Sequence, residues 1–242
     1  MQVCGMHNAA ALLSRRPHRP APQITLGDPE IALRLGRVHE LCGQARHTLA
    51  VSIAAKLGGP VVWIAQQGAS EFISPEAIAD QISPGHVLFV TPPKRDMLLW
   101  AMEEALRDGH APVVIADLQA PPAMVPIRRL HLAAEAGSGI GVCRPLALLL
   151  TPGQGGAPGI ETRWSLDPAH HNGPGHWTLS RLRARMAPPR DWLMTRSGDG
   201  LAPCPTPQGS TPQEISCEIS QASRDIPRKP LAGSKETTQM VE

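Results

Sequence analysis

The sequence predicts an α/β domain with a mostly parallel central sheet and an antiparallel extension at its C-terminal end. Three observations carry that expectation. Up to about residue 150, short apolar runs alternate with longer stretches of helical periodicity, which is the pattern of βαβ units. The run from Pro112 to Ala116 is almost wholly apolar, as a strand covered on both faces requires. From Thr162 onward three runs alternate loosely with no helical stretch between them, as consecutive antiparallel strands do.

Taken in order, Val38 to Cys42 reads as a strand, and Arg46 to Leu57 as a helix stopped by Gly58-Gly59, with Leu49, Ile53 and Leu57 on one face. Val61 to Ala65 is the next strand. Ser74 before Pro75 is an N-cap and first-turn proline for a short helix, and His86 to Val90 is a third strand. Lys94 to Asp108 has the clearest helical period, with Leu98, Ala101, Met102 and Ala105 on one side and Gly109 as its stop. Pro112 to Ala116 is a strand, Ile127 to Ala136 a helix and Leu146 to Leu150 a strand. The run Gly137-Ser138-Gly139-Ile140-Gly141 follows a helix and precedes a strand, the reverse of a dinucleotide-binding turn, and reads as a helix stop. Thr162 to Leu166, His176 to Arg185 and Asp191 to Thr195 form the antiparallel extension, with Trp164, Trp177 and Trp192 as its anchors.

The ends differ in composition. Residues 1–22 are rich in Ala, Arg and Pro, and residues 197–242 in Pro, Ser, Thr, Gln and Gly, so both are expected to be disordered around a folded domain at residues 23–196. Ala11 to Leu13 offers one apolar turn for a docking helix, against which stand Pro17, Pro20 and Pro22.

With 242 residues the chain fits one core. Aromatic residues make up 3% of it and Tyr is absent, so Leu, Val, Ile, Ala and Met must build that core. The formal charge of +2 gives no polyanion-binding stripe. Cys4, Cys42, Cys143, Cys204 and Cys217 are odd in number and widely spaced, which points to reduced thiols and argues against a zinc ribbon or disulfide framework. No stretch approaches the roughly 18 apolar residues of a membrane span and no signal peptide is apparent, so a soluble cytoplasmic protein is expected.

The stretch GRVHELCGQARHTLAVSIAAKL, Gly36 to Leu57, resembles the strand, phosphate loop and helix that open the RecA recombinase core, where the loop reads G-x-x-x-x-G-K-[ST]. In such a loop, backbone N–H groups hold phosphate oxygens, Lys reaches the terminal phosphates and the hydroxyl holds Mg²⁺. Counting from Gly43 puts Thr48, Leu49 and Ala50 at the Gly, Lys and Ser/Thr positions. Anchoring on Thr48-Leu49-Ala50 as the residues after the loop leaves it about three residues short, with Arg46 in place of Lys. Neither alignment restores the cradle. Arg46 and His47 are open to two readings, an anion contact at a helix start or solvated first-turn residues.

Val113 to Asp117 resembles the family's apolar strand ending in an Mg²⁺-linked Asp, which would make Asp117 the surviving element; the other reading of Asp117 is a turn former. The strand Val61 to Ala65 is followed by Gln66 and Gln67 where RecA has its water-activating Glu, and an amide is no general base. A degenerate loop formed by Gly43, Arg46, His47 and Thr48, with residual Asp117, therefore implies no enzyme, no bound nucleotide cofactor and no metal.

The order and spacing of GRVHELCG from Gly36, QARHTLA, VVWIA from Val61, the long stretch from Ser74 through Gly109, RRLHLAAEAG from Arg128 and ETRWSLDPA from Glu161 are similar to the ImuA family of RecA-like accessory proteins in inducible mutagenesis. The resemblance implies a RecA-like three-layer sandwich. It also implies a non-catalytic role in an SOS-type DNA damage response and error-prone translesion synthesis. The implied partners are an ImuB-like inactive Y-family polymerase homologue, a replicative-type error-prone polymerase and the RecA filament. By analogy with RecA protomers, the filament contact is placed at Ile24 to Leu35. Leu118 to Pro126 and Thr151 to Ile160, which stand where RecA carries DNA-binding loops, are short and hold no Lys or Arg, so direct DNA contact by that route is not expected. A RecA-like DNA-dependent ATPase and a SulA-like cell-division inhibitor are the competing readings.

Two further signals carry less. His170, His171 and His176 share a Gly/Pro-rich loop without a carboxylate or Cys at ligand spacing. Arg181, Arg183 and Arg185 alternate with Leu182 and Ala184, which predicts a basic strand face, either solvated or meeting a phosphate backbone or acidic surface.

Overall fold

In the computed structural model, which describes residues 22–66, 73–170, 173–198 and 200–204, the apolar runs become one nine-stranded sheet. Its strands are β3 (Val38–Cys42), β4 (Val61–Ala65), β5 (Val87–Val90), β6 (Val113–Asp117), β7 (Leu146–Leu150), β8 (Thr162–Pro168), β9 (His176–Ala184), β10 (Arg190–Ser197) and β11 (Gly200–Pro203). They lie in the order β11-β10-β9-β8-β3-β7-β6-β4-β5. The pairs from β8 through β5 are parallel, and the three from β8 out to β11 are antiparallel. A separate hairpin, β1 (Gln23–Thr25) and β2 (Ala32–Arg34), precedes the sheet. The protein is thus α/β, with a large, mixed, mostly parallel sheet.

Among the described residues four α-helices accompany it: α1 (Arg46–Leu57), the single turn α2 (Pro75–Ile78), α3 (Met97–Asp108) and α4 (Met124–Ile140). Strand β6 shows why its sequence is apolar throughout. Val113 and Ile115 share a core with Leu49 and Ile53 of α1, while Val114 and Ala116 share another with Met102 of α3 and Leu130 of α4. Successive side chains of a strand point to opposite faces, so helices cover both faces of the sheet here. Among the described residues no helix is long and apolar enough to cross a membrane.

Several expectations are corrected. Helix α4 begins at Met124, ahead of Pro126, because a first-turn N–H needs no intrahelical partner and proline is tolerated there. It then continues through the glycine run to Ile140 and does not stop at Ala136. The glycines serve helix packing: a Cβ on Gly137 would lie 2.0 Å from the Leu106 carbonyl oxygen at the end of α3. Helix α3 starts at Met97, three residues later than its periodicity suggests. Ser197 ends β10, and Gly200–Pro203 pairs with it as β11 within the segment expected to be disordered.

The hairpin was not anticipated. Its strands are three residues each, too short to show a period, yet Ile24, Leu26, Ile31 and Leu33 are buried in the core that α1 joins. The segment reserved for a filament contact therefore packs its apolar side chains inside the chain. The possible docking turn at Ala11–Leu13, most of the expected disordered ends, Gln67 and His171 lie outside the described residues.

Trp164 and Trp192 are buried in the extension with ring centroids 5.7 Å apart, and Trp177 packs partly buried against the same core, as expected of anchors. The basic face is corrected at Arg181, which is only 4% exposed. Its guanidinium lies 5.8 Å from the Trp164 ring and 5.0 Å from that of Trp192, donates from Nε to the Pro188 carbonyl and from Nη1 to the Glu30 carbonyl, and so ties the hairpin turn to the extension. Two tryptophans and two carbonyl acceptors are what let a cation be buried at that position. Arg183 and Arg185 remain exposed.

Candidate functional site

In an open α/β sheet, ligands bind outside the carboxyl ends of the parallel strands. Here that edge holds the turn from β3 into α1, the end of β6 and the end of β8. Helix α1 begins at Arg46, so the connection from β3 is the three residues Gly43, Gln44 and Ala45. Thr48 therefore lies in the first helical turn and not in the loop.

All three loop amides donate to protein acceptors. Gly43 N–H bonds the Gly153 carbonyl at 3.0 Å, Gln44 N–H the Asp167 Oδ1 at 2.9 Å, and Ala45 N–H the Leu166 carbonyl at 2.9 Å. The Ser165 hydroxyl holds the other oxygen of Asp167 at 2.7 Å. The donors that a phosphate loop turns toward its anion are thus engaged by the β7–β8 loop and by β8, and one acceptor is itself a carboxylate. Gly43 has φ 84°, and a Cβ there would sit 2.5 Å from both the Leu166 carbonyl oxygen and Ser165 Oγ. Its glycine is needed for this close contact with β8, a different reason from backbone approach to a phosphate.

His47 and Asp117, singled out separately in the sequence, are brought together. His47 Nε2 lies 2.6 Å from Asp117 Oδ2, and the imidazole stacks on Trp63 of β4 with centroids 6.2 Å apart. The imidazole stands beside the carboxylate that resembles the family's metal-linked Asp. Arg46 bends back to the Gly43 carbonyl through Nη1 at 3.4 Å. Gln66 ends the stretch at β4. Cys42, just before the loop, gives its thiol to the Trp164 carbonyl, and burial pushes its pKa up to about 11, so it stays a thiol at neutral pH and is no nucleophile.

Behind the loop lies a buried centre that the sequence reading missed. Glu40, fully buried in the middle of β3, accepts from the Thr151 hydroxyl at 2.8 Å, the Gly156 amide at 2.9 Å, the Ala157 amide at 3.1 Å and Arg163 Nε at 2.5 Å. It fixes the loop between β7 and β8, which carries the Gly153 carbonyl that bonds Gly43. Its neighbour His39 is also fully buried, with Nδ1 2.7 Å from Thr162 Oγ1 and Nε2 3.0 Å from the Arg34 carbonyl, and burial lowers its pKa to about 4. The signal was present as two ionisable residues inside the five-residue strand VHELC.

The remaining histidines have local roles. His170 meets Trp177 edge-on with centroids 6.3 Å apart, and His176 Nδ1 lies 3.1 Å from the Gly173 carbonyl. Among the described residues no group of three or more His, Cys, Asp or Glu is placed to hold a metal ion. No family model matches the chain, and no curated protein matches it.

Proposed function

We propose that the chain is a non-catalytic accessory protein of an SOS-type DNA damage response, a cytoplasmic scaffold that binds a polymerase-like partner in error-prone translesion synthesis. The observation that carries the non-catalytic part is the closed turn at Gly43–Ala45, with three amides held by Gly153, Asp167 and Leu166 and with His47 on Asp117. To seat a phosphate, that turn would have to break three hydrogen bonds and bring the anion beside Asp167. A loop of this length has no further amide to offer.

The family part of the reading rests on the resemblance to the ImuA group. It is supported by a mostly parallel sheet with helices on both faces and an antiparallel extension after β8, the arrangement expected of a RecA-like three-layer sandwich. The partners that follow are an ImuB-like inactive Y-family polymerase homologue, a replicative-type error-prone polymerase and the recombinase filament. A filament contact at Ile24–Leu35 would have to use the outward residues of the hairpin, such as Pro29, because Ile24, Leu26, Ile31 and Leu33 are buried.

Two measurements test the reading. Titration calorimetry with Mg-ATP is expected to show no binding; micromolar affinity that Asp117→Ala removes would replace the scaffold with a RecA-like ATPase. Co-purification with an ImuB-like polymerase homologue is expected to succeed. Filamentous growth on overexpression without any polymerase-like partner would favour the division-inhibitor reading. Deleting residues 1–35 is a poor test of the filament contact, since it removes core side chains; Pro29→Arg, at an exposed position, leaves the core intact.

A further inference from the structure

Beside α1, on the flank away from α3 and α4, a cavity of about 300 Å³ opens between α1, α2 and the strands β9 to β11. It takes no part in the loop contacts described above, although His47 borders it. Its inner wall is apolar: Val51 and Ile78 are each 2% exposed, Leu201 is 7% exposed, and the partly buried Trp177 closes one side. A volume at the small end of ligand sites fits one small molecule and not a nucleotide.

Besides the His47 imidazole, which is held on Asp117, Arg196 is the one ionisable side chain among the described lining residues. Arg196 stands at the rim, exposed, and among the described residues it has no acidic partner. Among the described residues the lining contains no Asp or Glu. Neither the Thr48 hydroxyl nor the Gln81 amide nitrogen hydrogen-bonds another described group, whereas Ser52 Oγ is held 2.9 Å from the Thr48 carbonyl. The site therefore presents one cation and two neutral donors over an apolar floor.

We propose that this cavity binds a small organic monocarboxylate with an aliphatic or aromatic body. The apolar part lies against Val51, Ile78 and Leu201, and the carboxylate meets Arg196, whose planar fork matches two carboxylate oxygens. A phosphate ester fits less well. One guanidinium only half neutralises a dianion.

The test uses the full chain and three probes: N-acetyl-L-leucine, N-acetyl-L-phenylalanine and the uncharged N-acetyl-L-leucinamide. The indole N–H resonance of Trp177, assigned by its loss in Trp177→Phe, is followed in ¹H–¹⁵N spectra. At least one acid is expected to shift it saturably with a dissociation constant of order millimolar, the range open to so few atoms. The leucinamide is expected to bind about tenfold more weakly, as is the tighter acid to Arg196→Gln, because a charge-assisted bidentate pair is lost in both cases. Ala77→Trp, at an exposed lining position, is expected to abolish the shift without disturbing the rest of the spectrum. The proposal is overturned if neither acid gives a saturable shift, if acid and amide bind alike, or if Arg196→Gln binds the acid as tightly as the parent.

Discussion

His47 Nε2 and Asp117 Oδ2 lie 2.6 Å apart, joining the first turn of α1 to the end of β6 across seventy residues of sequence. Both side chains are mostly buried, 20% and 12% exposed, so the pair adds a polar link between two elements that also pack through apolar side chains. Removing either partner leaves the other half-buried and unsatisfied. His47→Ala and Asp117→Ala are each expected to lower unfolding free energy in urea by about 1–3 kcal/mol. The double variant is expected to lose less than the sum, with an interaction energy of about 0.5–2 kcal/mol. Strict additivity would show that the contact contributes nothing.

Gly43→Ala tests the closed turn directly. The new Cβ would need a positive φ and would meet the Leu166 carbonyl oxygen and Ser165 Oγ at 2.5 Å. A loss of about 2–4 kcal/mol is expected, read as a fall in urea midpoint at unchanged slope. An unchanged midpoint would mean that β8 does not press against this loop.

The Glu40 centre predicts an asymmetry between one substitution and two. Glu40→Gln keeps the shape but leaves Arg163 without its anion in a mostly buried position, and a loss of about 3–5 kcal/mol is expected. Replacing both residues, Glu40→Leu with Arg163→Met, is expected to be less damaging than Glu40→Gln alone, because no uncompensated charge remains. Equal damage from the two would show that the amides of Gly156 and Ala157, not the ion pair, carry the stability.

Acid should weaken the fold through His39. Its folded pKa of about 4 lies below the ordinary value of 6.5, so above pH 6.5 both folded and unfolded states are neutral at this site. As pH falls from 6.5 to about 4, the unfolded chain takes up a proton that the folded chain refuses. Stability therefore drops, by about 3 kcal/mol over that window. Burial lowers the pKa of His131 as well, which adds loss in the same direction. Urea unfolding between pH 7 and pH 4 is expected to show this slope and His39→Gln a shallower one; equal slopes would place the acid sensitivity elsewhere.

The sequence by itself determined most strands of the main sheet, the helices around them and the mostly parallel type of the sheet, but neither the β1–β2 hairpin nor β11. Val38–Cys42, Arg46–Leu57, Val61–Ala65 and Leu146–Leu150 are the elements its periodicity predicts, because burial on one or both faces leaves a direct mark on residue type. It also shows that, counted from Gly43, the stretch to Ala50 lacks Lys and Ser/Thr at the positions where a phosphate loop carries them. Only tertiary structure decided what those departures leave in place. Asp167, Gly153 and Leu166 lie more than a hundred residues from Gly43, and no local pattern marks them as the acceptors of its amides. The pairing of His47 with Asp117 and the burial of Arg181 between Trp164 and Trp192 are of the same kind. A hydrogen bond between distant segments imposes no period on the chain, so it exists only once β3, β6 and β8 have been brought side by side.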